Sequence, residues 1–568
     1  MSLVQKKSTS VLLLALCTLL VYSNIFHHPF LWDDNMLILQ NALIQNVRHF
    51  PDLFRAEFFT KTLEESDFSD GGYYRPIISL SFMLDYSLWK ENPFGYHLTN
   101  VLFHLLNVLL VYTVGQRLFG RRRSAFLGAL LFAIHPIQTE AVSFIPSRVD
   151  LIGVFFYLAS WLLFDRWIRF RRRSDLAASL VLFLAALLSK EMTVTLPLFL
   201  FCYAFTFVRE SRRRALYAAL SFWALLTLYF LVRNRYFPLT QEPLWGYLPR
   251  LPSALVSSGM LVLSYLRLLV FPHPLHLERS HNLLPGFFEP QALLFPIGVV
   301  ACAGALWRFR QRKAERFLFV SFFVTLLPVL NIVPIYPSMA EHYLYLPSVG
   351  FFLLAAGVAE EKWSSVRTGA LRKGMVVAGA LLLVAYGART LWRNRDYADE
   401  LSLFEKTRRY TPESFLVNSD LGALYLARHR PQEAIPLLEK ANRIAPKRAG
   451  VLANMGMAYR DLGEYDKAIS YYLKAIEAEP SAAFYNSLGV CYGMFGKKEE
   501  AEKAFRQAIV LKPGAAEAYY NLGKLYWDQK RWSDVEALWR KGLEKDPNHP
   551  LLKEWFEKLK QAKTVGQK

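Results

Sequence analysis

The first two thirds of the chain alternate apolar runs of about 17 to 25 residues with short arginine-rich blocks, and this alternation limits the fold more than any motif does. A run of that length, wound as a helix, crosses about 30 Å of hydrocarbon. Inside hydrocarbon every backbone N–H and C=O must be satisfied within the segment, so an all-α membrane domain is expected. The blocks read "GRRRS", "RFRRRS", "RESRRR" and "RFRQRKAER". Because they fall between the apolar runs, the formal charge of +20 is assigned to the positive-inside pattern and not to nucleic acid. A 53% hydrophobic and 15% aromatic composition agrees with the membrane class.

With the basic blocks on the cytoplasmic side, the expected spans are 9–26, 97–117, 124–144, 149–168, 175–190, 193–208, 215–236, 291–308, 316–336, 343–359 and 374–391. That gives about eleven crossings, with the N-terminus inside and the C-terminus outside. The run 253–271 carries Arg267 and closes on two prolines, and is laid along the outer interface. Residues 27–96 then form a long first external loop, in which "YYRPIISLSFMLDYSLW" has helical apolar spacing and is placed at the membrane surface. The four cysteines offer neither a disulfide framework nor a zinc spacing. The start "MSLVQKKSTSVLLLALCTLLVYSNIF" lacks a small-residue cleavage site and reads as an uncleaved first span. No Asn-x-Ser/Thr sequon occurs, and the chain ends in "KTVGQK". These favour a bacterial inner membrane with periplasmic loops over an endoplasmic reticulum membrane facing the lumen.

After Arg395 the pattern changes. Pro412, Pro446, Pro480, Pro513 and Pro547 recur about every 34 residues, and Gly422, Gly456, Gly489 and Gly523 keep the same beat. This resembles the tetratricopeptide repeat, a stack of helix pairs in which small residues let neighbours approach. Residues 1–397 are read as the membrane domain and 398–568 as a helical solenoid of about four repeats plus a capping helix, "HPLLKEWFEKLKQA". Such an array binds peptides or proteins by default and is expected on the external side.

Just past the first apolar run, "PFLWDDNMLILQN" sets Asp33 and Asp34 side by side. A carboxylate at a membrane interface is suited to deprotonating an incoming hydroxyl or to holding a divalent cation against phosphate. The bland alternative is that one of them caps a helix beginning at Asn35. "GYHLTNVLFHLLN" puts His97, Asn100, His104 and Asn107 on one helical face, either toward a polar pathway or as helix-to-helix hydrogen bonds. His135, Glu140 and Arg148 surround two prolines in "FAIHPIQTEAVSFIPSRVD". Lys190 and Glu191 follow in "LLSKEMTVTLP", and Glu341, His342, Tyr343 and Tyr345 in "PSMAEHYLYLPS", where snorkelling and an aromatic belt are the ordinary readings. Arg75, Arg148 and Lys190 share the external side with the acids, as a phosphate-carrying lipid requires.

The order "WDD", "YYRP", "YHLTNVLFH", "HPIQTEAV", "SRVD", "LLSKE", "EHYLYLP", then tetratricopeptide repeats, resembles the transmembrane and tetratricopeptide repeat-containing O-mannosyltransferases and their bacterial relatives. The resemblance implies a GT-C glycosyltransferase that takes a sugar from a polyprenyl phosphate and inverts the anomeric centre. It implies Asp33 and Asp34 as the catalytic acids. It also implies a donor and acceptor cavity near Arg75, His97, His104, His135, Glu140, Arg148, Lys190, Glu191, Glu341, His342 and Tyr345. The expected partners are the polyprenyl-phosphate hexose, membrane lipid and a protein carrying the Ser or Thr acceptor. A lipid phosphate leaves readily, so no cofactor is required; a divalent metal is optional, at Asp33 and Asp34 if it binds. The competing readings are transfer to a lipid or glycan, a membrane-anchored repeat adaptor, and a transporter.

Overall fold

The computed structural model describes residues 7–59, 73–208, 212–236, 251–279, 294–333, 335, 337–547 and 549–565. Part of the first loop expected at 27–96, and the start of the run expected at 291–308, lie outside the described residues. Among the described residues the regular structure is helical throughout. The chain divides into two compact units, Met1–Leu403 and Phe404–Lys568.

The longer helices of the first unit are α1 (Lys7–Val21), α2 (Pro76–Trp89), α3 (Pro93–Phe119), α4 (Arg122–Ile134), α5 (Arg148–Phe170), α6 (Arg173–Leu187) and α7 (Leu196–Phe207). They continue with α8 (Arg212–Tyr236), α9 (Leu251–Val270), α10 (Leu294–Arg308), α11 (Lys313–Leu326), α12 (Tyr345–Ser365) and α13 (Gly369–Asn394). Sequence chemistry sets several ends. Asn92 accepts the Phe94 N–H to start α3, and Gly120, at φ +64°, ends it in the left-handed region that glycine adopts without cost.

Among the described residues, six helices are long and apolar enough to cross a membrane: Pro93–Phe119, Ile145–Phe170, Arg212–Tyr236, Leu251–Val270, His342–Ser365 and Gly369–Tyr397. The pair Arg122–Ile134 and Pro136–Ser143, bent by 51°, makes a seventh if taken as one span. The expected count of about eleven is therefore not supported. The runs at 9–26, 175–190, 193–208, 291–308 and 316–336 give helices of 15, 15, 12, 15 and 14 residues. At 1.5 Å per residue these reach only about 18 to 23 Å. Pro136, Pro197 and Pro328 each stand at a break, where the missing N–H and the restricted preceding residue stop a long helix. The run at 253–271, expected flat on the interface, is α9 and one of the six by length and composition. The expected surface helix is α2, whose buried residues Ile78, Phe82 and Met83 join an apolar cluster under the acidic loop.

The second unit contains four helix pairs: Phe415–Ala427 with Pro431–Ile444, Ala449–Asp461 with Tyr465–Ala478, Ala482–Met494 with Lys498–Leu511, and Ala516–Asp528 with Trp532–Lys545. Pro550–Val565 follows them. The periodic glycines have a packing reason. A Cβ at Gly422, Gly456 or Gly489 would lie 2.7, 3.0 or 2.6 Å from Leu438, Tyr472 or Phe505 of the paired helix, and one at Gly523 would overlap the Trp539 indole. Each glycine thus seats a bulky side chain against bare backbone.

Candidate active site at one end of the membrane helices

Neighbouring helices run in opposite directions, so the C-terminal ends of α1, α4, α6 and α13 meet the N-terminal ends of α3, α5 and α12. Hydrogen bonds tie these ends together. Asn394 donates to the Val21 carbonyl at 2.8 Å, Thr390 to the Ile134 carbonyl at 2.6 Å, and Asn100 to the Val142 carbonyl at 3.2 Å. Every site residue inferred from sequence lies at this end.

The acidic pair sits on a tight turn. Asp34 N–H donates to the Leu31 carbonyl at 2.9 Å, and Leu31 N–H donates back to Asp34 Oδ2 at 2.8 Å. Between them Trp32 takes φ +45°, a costly conformation for a bulky residue. It stacks on Phe144, which stacks on Tyr397. A helical turn does begin at Asn35, but the Asp34 side chain does not cap it. Capping therefore does not account for this aspartate. The Asp34 carboxylate is buried, and its Oδ1 has no hydrogen-bond partner among the described residues. Asp33 is half-buried, and its carboxylate makes no hydrogen bond or ion pair with any described residue. Burial, then the Glu400 carboxylate, pushes the Asp33 carboxyl up to about 6. Burial pushes Asp34 well above the usual carboxylate range; the Leu31 N–H and Arg148 pull it back, while Asp33 and Glu400 add to the rise.

The cations are paired. Arg75 binds Glu191 through Nε and Nη2, at 2.8 Å for the closest contact, and its guanidinium stands 4.4 Å from the Tyr73 ring centroid. This pairing leaves Nη1 for a further acceptor. Lys190 Nζ donates to Asp150 at 3.1 Å, stands 5.9 Å from the Tyr343 ring centroid, and keeps two protons unused by Asp150. Arg148 is different. It is fully buried, ion-paired to Asp85 at 2.6 Å, and bonded to Asn100, Ser81 and the Tyr96 carbonyl. Its donors are committed inside the protein, so the structure does not offer it as an open phosphate clamp.

The segment "EHYLY" is the hub. Glu341 accepts from Arg279 at 2.7 Å and lies 3.4 Å from Arg393. Burial would raise its carboxyl, but those two guanidiniums outweigh burial and hold it below the usual range. His342 Nδ1 lies 2.6 Å from Glu140, Tyr343 faces Lys190, and Tyr345 O–H lies 2.8 Å from His104 Nδ1. His104 Nε2 faces the Ala133 carbonyl at 3.1 Å, so Nε2 carries the proton and Nδ1 accepts from Tyr345. Asn107 donates to the Leu151 carbonyl and to Tyr345. Three members of the α3 stripe thus serve helix-to-helix bonding. The fourth, His97, packs its ring 6.0 Å from that of His28. His135 accepts the Ile137 N–H and packs against Phe352 and Tyr386, so it shapes a bend between helices.

Sequence reading missed Asp85, Asp150, Arg279, Arg393 and Glu400. Asp85 had a signal, since it stands four residues after Ser81 and both meet Arg148. Asp150 and Lys190 are too far apart in sequence for spacing to pair them. Glu400 falls within the range read as repeats. Among the described residues no three His, Cys, Asp or Glu side chains gather as a metal site.

Residues 76–233 match the family model described as dolichyl-phosphate-mannose-protein mannosyltransferase. Tetratricopeptide-repeat models match residues 387–449, 449–481, 496–530 and 516–549. The chain is 25% identical over 600 aligned positions to protein O-mannosyl-transferase TMTC3 of Mus musculus, covering 94% of this chain and 63% of that protein. It is 34% identical over 182 positions to protein O-mannosyl-transferase Tmtc2 of Drosophila melanogaster, covering 31% and 19%. A crystal structure of MamA aligns with TM-score 0.25 at 26% identity, covering 26% of this chain and 87% of that one. The chain spans less than two thirds of the length of TMTC3 of Mus musculus, TMTC3 of Homo sapiens and Tmtc1 of Drosophila melanogaster.

Proposed function

We propose that this chain, which belongs to the transmembrane and tetratricopeptide-repeat O-mannosyltransferase family, moves mannose from a polyprenyl-phosphate carrier to a Ser or Thr hydroxyl of a protein, with inversion at the anomeric carbon. The observation that carries the reading is Asp33: a half-buried carboxylate with no bonded partner among the described residues, its pKa pushed up to about 6, at the end of the helices where Arg75 and Lys190 also lie. A base poised near the working pH is ionised yet basic enough to take a hydroxyl proton.

Asp33 removes that proton as the oxygen attacks the anomeric carbon from the face opposite the phosphate. The new C–O bond forms, the old one breaks, and its electron pair leaves on the polyprenyl phosphate. Arg75 Nη1 and the spare Lys190 protons receive the phosphate charge, while Glu191 and Asp150 hold the two cations in place. Asp34, bonded to the Leu31 N–H, fixes the turn that presents Asp33. The repeats dock the acceptor protein. In a bacterium the carrier is an undecaprenyl phosphate and the site faces the periplasm.

The test is purified full-length protein in detergent and lipid, given polyprenyl-phosphate mannose or glucose with an acceptor protein, following free lipid phosphate. Release that is faster with mannose and lost in both Asp33→Asn and Asp34→Asn is expected. Unchanged release in the Asp33→Asn protein would remove the assigned base.

A further inference from the structure

The far end of the same helices carries a second, unassigned feature. A cavity of about 400 Å³ opens between α4, α12 and α13, lined by Phe126, Leu127, Met375, Val376, Gly379 and Leu383. Arg123, Ser124, Glu360 and Trp363 stand along its polar edge. On α12, Trp363 is eighteen residues from Tyr345, about 27 Å along the axis. The cavity therefore lies at the opposite membrane boundary from the acidic pair, at the arginine-rich end.

Its charge is unbalanced. The Arg123 guanidinium stands 5.5 Å, and that of Arg372 5.3 Å, from the Trp363 ring centroid. Neither pairs with an acid among the described residues. Of the adjacent acids, Glu361 binds Arg312, and Glu360 on the cavity edge accepts from Ser124 N–H at 3.0 Å and from its hydroxyl, so two guanidiniums stand against one carboxylate. Arg372 spends Nε on the Val366 carbonyl and keeps its charge. Below this cationic edge the wall is hydrocarbon. One side of it is α13, an apolar helix with only 6% of its most apolar window buried in the protein. A Cβ at Gly379 would meet nothing within 4 Å, so a slot stays open along that helix.

An apolar slot ending at two guanidiniums and one carboxylate beside an indole has a net positive edge and is complementary to an anionic amphiphile. We infer that this cavity binds an anionic glycerophospholipid of the arginine-rich leaflet, its phosphate between Arg123 and Arg372 and one acyl chain along Phe126, Met375 and Gly379. The bound lipid fills the gap between α13 and the α4–α12 pair and so holds α13 in register. Since α13 carries Arg393 to the other boundary, the same lipid steadies the Glu341 ion pairs. This inference rests on the helices being membrane spans and is independent of the proposed sugar transfer.

Native mass spectrometry of the full-length protein tests it, with phosphatidylglycerol and phosphatidylcholine as probes. Two basic side chains on one phosphate are expected to favour phosphatidylglycerol by roughly thirtyfold. The double substitution Arg123→Ala, Arg372→Ala should abolish that preference. Gly379→Leu, which fills the slot and keeps both guanidiniums, should weaken both lipids without moving the elution volume. Equal retention of the two lipids, or a preference that survives the double substitution, overturns the proposal. Displacement of phosphatidylglycerol by equimolar polyprenyl phosphate, through the same arginines, overturns the phospholipid as occupant.

Discussion

Asp33 and Asp34 are neighbours in sequence and opposites in environment. The turn closed by Leu31 and Asp34 buries one carboxylate and leaves the other half-exposed. The side-by-side acids were legible in the sequence; their division was not, because it depends on Trp32 at φ +45° and on Glu400 arriving from a distant helix. If Asp33 is the base, Asp33→Asn should lower transfer by about 10²- to 10⁴-fold with little change in donor affinity, read from steady-state kinetics. The wild-type rate should rise with pH up to about 6 and then level, since the ionised form is the active one. The stability sign runs the other way. A carboxyl whose pKa is raised on folding binds its proton more tightly in the native state, so stability falls as pH rises from the ordinary value of about 4 to about 6. Asp33→Asn should therefore raise the thermal midpoint at pH 7.5 and do so less at pH 5. Equal shifts at both pH values would remove the desolvated carboxyl from the account.

Helix ends, more than helix faces, build the site. The sequence showed where apolar runs break for proline and where costly polar residues gather, so the membrane class and the gathering of the candidate residues at one end of the helices were readable. Which polar residues meet each other was not, because partners come from segments 40 to 241 residues apart, as with Lys190 and Asp150 or His104 and Tyr345. The stripe of α3 illustrates the ambiguity: periodicity placed its residues on one face, and only packing made three of them cross-helix bonds. Arg148 is the test case. It joins α5 to α2 through Asp85 and Ser81 and to α3 through Asn100 and Tyr96, at full burial. Arg148→Ala strands Asp85 and should cost about 3 to 5 kcal/mol, read as a drop in thermal midpoint in detergent. Arg148→Met with Asp85→Leu removes both charges and should recover most of that loss. If the double substitution restores stability but not transfer, Arg148 acts on the donor as well as on the packing.

The chain's two units rest on different physics. In Met1–Leu403 the apolar helices also meet lipid, whereas in Phe404–Lys568 each repeat buries its own knob against a glycine of the paired helix. Such an array is quasi-one-dimensional, so damage to one repeat stays near that repeat and its neighbours. This permits a substitution in the full-length protein that loads one unit only. Gly523→Ala sets a methyl group into the Trp539 indole, which must shift. Overpacking of this kind costs about 1 to 3 kcal/mol. The repeat unit should unfold at a lower temperature by circular dichroism, while the acidic turn is untouched. If the repeats dock the acceptor, transfer to protein should fall once the array is loosened. Release of polyprenyl phosphate with a short Ser- or Thr-containing peptide, too small to need docking, should continue. A lowered repeat melting temperature with unchanged transfer to protein, measured above that temperature, would show that the array does not present the acceptor.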